Sequence, residues 1–197
     1  MDSRADDAAT IGVWRGVRID VAPRDAVSVD VAIASAGVFM REIGRTRPDG
    51  GLGNLDTALG GAITRLRADG IFRGDLGEVL TLSAPAHPIH ATTVLAIGLG
   101  DPALWMPATM RHAVATAVRE AIRLEAASAA FAPSLLDSGL APDGLAGTPD
   151  AMLAGLLDAL ADDRPQVLSR WVFCVGAARF EAMSETFRTA YERLSLP

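Results

Sequence analysis

The 197-residue chain contains no lysine, and all 18 of its cations are arginine. Any mechanism that needs a lysine nucleophile, a lysine Schiff base or a lysine metal ligand is thereby excluded. Cysteine is nearly absent as well, and Cys174 alone cannot form an internal disulfide. It lies between Phe173 and Val175 in an apolar run, where a thiol is inert core filling and lacks the exposed, electropositive setting of a nucleophile. Aromatic residues make up 5% of the chain and charged residues 21%, while half is hydrophobic, a composition that suits an alanine-rich globular protein and not a disordered one. Positive charge is in deficit: the net charge of -6 argues against general binding to nucleic acid or to an anionic membrane, which require a basic surface. Glycine, proline or charge interrupts every apolar run before it reaches the ~20 residues of a bilayer span. The opening MDSRADDAAT lacks the basic and then apolar pattern of a signal peptide. A cytoplasmic protein is expected, with residues 1–10 a flexible N-terminus and 11–197 a single domain large enough to bury its own core.

Hydrophobic periodicity organises the rest. Residues 11–21 (IGVWRGVRIDV) alternate apolar and polar side chains in the manner of one half-buried strand. Residues 27–34 (VSVDVAIA) are β-branched enough for an interior strand, which 39–43 extends or follows with another. Proline and glycine mark 44–53 as a surface loop. Asn54 is then placed to cap a helix, Asp56 falls in its first turn, and Leu55, Leu59, Ile63 and Leu66 share one face up to Gly70. Gly60 and Gly61 inside that helix each cost about 1 kcal/mol against alanine, which close packing on a sheet or backbone approach to a ligand would offset. Further strands are expected at 79–82, 92–99, 129–132 and 171–175, and further helices at 107–127, 148–161 and 180–194. Thr148 is expected to cap the second of those helices, with Pro149 at its first position. Strands alternating with helices predict an α/β fold whose mostly parallel sheet is covered on both faces.

The stretch GGLGNLDTALGGA, 50–62, admits two readings. Gly51, Gly53 and Asn54 present backbone amides at a helix start and could cradle a phosphate. Alternatively the glycines form a tight loop feeding a packed helix, a reading favoured by the negative charge of Asp49 and Asp56 on either side. Residues 98–103 (GLGDPA) formally satisfy G-x-G-x-x-G/A through Gly98 and Gly100. Pro102 and Pro107 nevertheless delay the helix, and no acidic residue ends the next strand, so a plain strand-to-helix turn is expected in place of a nicotinamide site. His87 and His90 share a proline-rich loop and His112 lies on a helix, too few and too scattered for a zinc site. Ser138 in Asp-Ser-Gly reads as turn chemistry, with no G-x-S-x-G pattern in the chain. No catalytic residue, metal or cofactor is assigned.

The combination of LDTALGGA (55–62), Gly70, GDLGE (74–78) and VLAIGLGD (94–101) resembles the N-terminal domain of the leucyl aminopeptidase family over about residues 26–130. The later part is similar to macro domains in general: a strand into proline (AAFAP, 129–133), a glycine-rich loop, a helix, the strand WVFCV and a last helix. Both resemblances imply a macro-domain-like three-layer fold, a mixed and mostly parallel sheet between helices. In the aminopeptidase family the chemistry belongs to a separate C-terminal domain, where aspartates, a glutamate and a lysine hold two zinc or manganese ions. A chain without lysine is expected not to hydrolyse peptides. In macro domains that bind ADP-ribose, an asparagine-rich segment and a glycine-rich loop enclose the ligand. The corresponding places here are IASAG (33–37), with Ser35 but no asparagine, and the loop from Ser134 to Gly147, with Ser138 and Gly139. The resemblance thus implies a stand-alone, non-catalytic binding or assembly module. The alternatives are a macro domain that binds or hydrolyses a nucleotide or ADP-ribose, and a regulatory subunit of an aminopeptidase. Its expected partners are a small phosphate-bearing ligand, other copies of the chain and an aminopeptidase. The cleft between the 50–54 and 134–147 loops is either open or filled by side chains such as Leu52 and Leu140.

Overall fold

The computed structural model describes residues 7–161 and 167–196. The first described elements are a hairpin of β1 (Ala9–Trp14) and β2 (Val17–Ala22), antiparallel with Trp14 opposite Val17 and a register shift between Thr10 and Gly12. The single strand expected over 11–21 is therefore two. They are joined by the two-residue turn Arg15-Gly16, whose φ angles of 48° and 82° suit a tight hairpin connection. Because β1 begins at Ala9, residues 9 and 10 are part of the sheet, and the Thr10 hydroxyl donates to Asp20 Oδ1 at 2.8 Å. Residues 1–6 lie outside the described part.

β3 spans Ile33–Val38 and not 27–34. Asp25 overrides the β-branched pattern: its carboxylate accepts the N–H groups of Val27 (3.2 Å) and Ser28 (2.9 Å) and the Ser28 hydroxyl (2.7 Å), which folds 25–28 into a turn. Residues 39–43 form no strand. They leave the sheet with the Phe39 carbonyl accepting from Arg67 Nη1, and Arg67 also forms a buried ion pair with Glu42 (2.7 Å).

The helix expected from Asn54 to Gly70 is two helices, α1 (Gly50–Ala58) and α2 (Ala62–Ala68). Asn54 lies inside α1, and the cap is Asp49, whose Oδ1 accepts the N–H of Gly50 at 2.8 Å. Gly60 and Gly61 are not helix-interior residues offset by packing. Both have positive φ, 65° and 78°, and a Cβ on Gly60 would meet nothing within 4 Å; their role is the backbone turn that divides the helices. Asp56 then accepts the Thr64 N–H across the break.

The remaining elements fall close to expectation: β4 (Val79–Ser83), β5 (Thr93–Gly98), α3 (Pro107–Arg123), β6 (Ser128–Ala132), α4 (Thr148–Leu160), β7 (Arg170–Cys174) and α5 (Phe180–Leu194). Gly147 with φ 76° precedes α4, so Thr148 is its first residue and makes no side-chain capping bond. The sheet order is β1-β2-β7-β6-β3-β5-β4, with β2, β7, β6, β3 and β5 parallel and the two edge strands antiparallel to their neighbours. A macro-domain-like α/β sandwich results. One face of the sheet packs on α3, α4 and α5 through Trp171, Phe173, Phe131, Val114, Leu156 and Phe187. The other packs on α1 and α2 through Leu52, Leu55 and Ile63. Alternation along β7 divides the two cores, since Trp171 and Phe173 enter the first while Val172 and Cys174 enter the second. The parallel strands are buried on both faces, and the six residues of β3 are all inaccessible. Among the described residues no helix is long and apolar enough to cross a membrane.

Candidate functional site

The parallel strands aim their carboxyl ends at one edge of the sheet, where turns leave β2, β6 and β7 together. A cavity of about 480 Å³ opens there. Its walls are Pro23–Asp25 after β2, Ala132–Asp137 after β6, Cys174–Ala177 after β7, and the starts of α1 and α4. Met152 of α4 and Met183 and Phe187 of α5 give it an apolar side. The crevice beyond the carboxyl ends of parallel strands is where open α/β sheets seat ligands.

Two carboxylates border this cleft, and their surroundings differ. Asp25 is half-buried, which raises its pKa, but the Ser28 hydroxyl and amide, the Asn54 amide (3.4 Å) and the Val27 amide outweigh that and hold it below the ordinary carboxylate value. Asp137 lies 85 residues from α1 in sequence, yet its Oδ2 accepts the N–H of Leu52 at 3.0 Å. Burial pushes its pKa up, and the neighbouring Asp49 adds to that. The amides of Leu52 and Gly51 and the Arg45 charge oppose the rise, and the net value stays above the ordinary one. The Asp137 carbonyl accepts from Asp49 N (3.2 Å) and Arg45 Nη1 (3.4 Å), which ties the β6–α4 loop to the loop before α1.

At the far wall, Thr148 is 6% exposed and its hydroxyl has no hydrogen-bond partner among the described residues. Cys174 ends β7 at the cavity floor, its thiol pushed up to about 12 by burial and by the Asp25 charge. It is not a thiolate at neutral pH. Among the described residues no group of three or more His, Cys, Asp or Glu side chains is placed to hold a metal ion. His87, His90 and His112 are all exposed and stand apart from the cleft.

Of the residues singled out in the sequence, Gly51, Asn54 and Ser134 line the cavity. The rest do not converge on it. Gly53 packs against the Pro48 carbonyl, 2.9 Å from where a Cβ would sit. Ser35 is buried in the middle of β3, its hydroxyl unpartnered. Gly98 lies where a Cβ would come within 1.9 Å of the Asp75 carbonyl, and Gly100 faces Leu76, so the G-x-G motif fits strand β5 against the 74–78 turn. Glu78 organises that turn by accepting the N–H groups of Arg73, Gly74 and Asp75. Ser138 is fully buried and donates to the Ser134 carbonyl (3.1 Å), and Gly139 presses on the Ile43 carbonyl. Leu52 is core and Leu140 packs at its margin, so neither fills the cleft. Sequence reasoning missed Asp25, Asp137 and Thr148 as cleft residues. The available signal was an aspartate in the loop after β2 and another in the loop after β6.

Comparison with known proteins agrees with this architecture. Among solved structures, the chain is similar to a tomato leucine aminopeptidase mutant (TM-score 0.68, 16% identity, 91% of this chain and 36% of that one). It is similar also to a Trypanosoma brucei macrodomain in complex with ADP-ribose (TM-score 0.66, 17% identity, 94% and 75%). A third likeness is to a macrodomain mutant from Oceanobacillus iheyensis (TM-score 0.63, 14% identity, 97% and 98%). The chain thus spans about a third of the tomato enzyme's length. No curated protein sequence matches it. The model of the cytosol aminopeptidase family, N-terminal domain, matches residues 37–160, more than half of the chain and the whole span from the end of β3 to the end of α4; the chain belongs to that N-terminal-domain family.

Proposed function

We propose that the protein is a non-catalytic binding module whose cleft at the carboxyl ends of β2, β6 and β7 takes a small organic ligand with a largely apolar body. The observation that carries this reading is the cleft itself. Its volume of about 480 Å³ is that of a small-molecule site, and few polar groups interrupt its apolar side. Nothing in it is activated for covalent chemistry: the Cys174 thiol is pushed up to about 12, and no metal cluster accompanies the carboxylates among the described residues. In the aminopeptidase family that the sequence resembles, catalysis belongs to a separate domain.

A second reading, recognition of ADP-ribose or a related nucleotide, draws support from the likeness to a macrodomain whose structure holds ADP-ribose. Asp137 weighs against it, because its carboxylate already takes the amide of Leu52 at the start of α1. The test is a melting-temperature screen of the purified chain against apolar fragments and nucleotides. A ligand at 100 times its dissociation constant stabilises by about 2.7 kcal/mol, well within detection. Stabilisation by fragments whose binding shifts the Met152 and Met183 methyl resonances is the expected result. A screen in which only phosphate-bearing nucleotides stabilise favours the second reading, and metal-dependent release of leucine from a chromogenic substrate would refute the non-catalytic one.

A further inference from the structure

A helix start facing a cleft ordinarily attracts anions, because its first N–H groups have no partner within the helix and the helix dipole adds positive potential. At α1 the protein has supplied the anions itself. Asp49 Oδ1 accepts from Gly50 at 2.8 Å and Asp137 Oδ2 from Leu52 at 3.0 Å. Gly51, between them, sits against the Asp25 side chain on one side and Asp137 on the other, each 3.4 Å from where its Cβ would be. A group approaching these amides from the cleft meets the two aspartates that line it, Asp25 and Asp137. Arg45 pairs with Asp49 (3.3 Å) and Arg24 with Asp7 (3.3 Å), while Arg179 of the β7–α5 connection also lines the cavity.

We propose that Asp137 determines what the cleft accepts. By occupying the amides at the start of α1 it closes that end to phosphate and carboxylate groups and reserves it for a neutral hydrogen-bond donor or a cation. The inference rests on the reading of this cleft as a ligand site. Its support is geometric: Asp137 holds the Leu52 amide at 3.0 Å and lines the cavity, a place where an asparagine could accept the same N–H bond without a charge. Burial and Asp49 disfavour the ionised Asp137 and outweigh the amides of Leu52 and Gly51 and the Arg45 charge. The charge faces the cavity, which Asp137 lines together with Asp25 and Asn54.

The experiment is a titration of ¹⁵N-labelled full chain with sodium pyrophosphate, read at the amides of Gly50–Gly53, for the wild type and for Asp137→Ala and Asp137→Asn. The wild type should show no saturable shift up to about 10 mM, whereas Asp137→Ala should bind at least about tenfold more tightly through those same amides. Asp137→Asn, which keeps the shape and one acceptor, should gain about threefold and serves as the deciding variant if the alanine protein does not fold. Saturable shifts of the wild-type Gly51 and Leu52 amides below about 1 mM pyrophosphate would overturn the proposal. So would a folded Asp137→Ala protein, or failing that Asp137→Asn, that gains no affinity. The readout at α1 is independent of whether fragments shift the Met152 and Met183 methyls, so failure of the cleft as a ligand site and failure of Asp137 as its gate give different spectra.

Discussion

Two helices begin at the same cleft, and the protein treats their starts differently. At α1 the first amides are covered by side chains, Asp49 on Gly50 and Asp137 on Leu52. At α4 no side chain caps the helix, and the one polar side chain at its first position, Thr148, is buried with its hydroxyl unpartnered. Asp150, in the first turn of α4, pairs with Arg193. The contrast shows where hydrogen-bonding capacity survives folding. The amides of α1 are occupied by the protein's own carboxylates, while the Thr148 hydroxyl at the start of α4 stays unused. If the ligand has a donor or cationic end and an accepting end, the first belongs beside Asp137 and the second beside Thr148.

The comparison breaks most violently at the glycine that begins α1. Gly50 has φ 53°, and a Cβ there would come within 2.2 Å of Asp137 Oδ1. Gly50→Val adds backbone strain and drives Asp137 off the helix, with an expected loss of about 3 kcal/mol in urea denaturation. Gly147, before α4, has φ 76°, but a Cβ would meet only Pro107 Cγ at 3.9 Å. Gly147→Ala should therefore cost only the strain, about 1 kcal/mol. Equal costs at the two sites would mean that Asp137 is not a rigid cap on α1.

Asp137 itself gives the next effect. Asp137→Ala strands the Leu52 amide and should cost about 1–3 kcal/mol, whereas Asp137→Asn should fall within about 0.5 kcal/mol of the wild type. The pH dependence then separates the two cleft aspartates by sign. The pKa of Asp25 is lowered from its ordinary 3.8. The stability it contributes is present above 3.8 and is lost as pH falls through its folded value. Asp25→Asn should therefore destabilise at neutral pH and converge on the wild type in acid. Asp137 has its pKa raised, so its favourable contribution is complete below 3.8 and is lost as pH rises through the folded value. Relative to Asp25→Asn, Asp137→Asn should do best at neutral pH, and its advantage over wild type should vanish below 3.8. Parallel curves for the two variants would refute the asymmetry.

Why the sequence showed the fold but not this site follows from particular residues. β4 to β7, α3 and α5 were legible because their periodicity is long or their burial continuous, and α5 matches its expected 180–194. The failures share a cause. At 15–16 a two-residue turn divides what reads as one strand, at 25–28 one carboxylate overrules β-branched side chains, and at 60–61 paired glycines divide a helix whose apolar spacing continues across them. In each case a short polar or glycine contact decided the backbone against the hydrophobic pattern. The site was less legible still. Gly51, Asn54 and Ser134 reach the cleft, but Asp137 acts on Leu52 across 85 residues, a juxtaposition that only the sheet order creates. Gly98 and Gly100 misled because close chain packing and phosphate binding demand the same residue.

The smallest expected effect is at Thr148, and there the sign matters more than the size. A buried hydroxyl without a partner costs stability, and valine replaces it with a methyl of the same shape. Thr148→Val should therefore raise the stability of the free protein by up to about 1 kcal/mol in denaturant titration, at unchanged slope. The same substitution should weaken any fragment that sits against Met152, because the ligand loses an acceptor or donor that the protein itself never used. A residue that costs stability when the cleft is empty and adds affinity when it is filled is the signature of a position held for binding. The opposite sign, a destabilised Thr148→Val, would mean that the hydroxyl is already satisfied in the folded protein by an ordered water. The start of α4 would then be as closed as the start of α1, and the ligand's polar group would have to be sought at Asp25 and Asn54 instead.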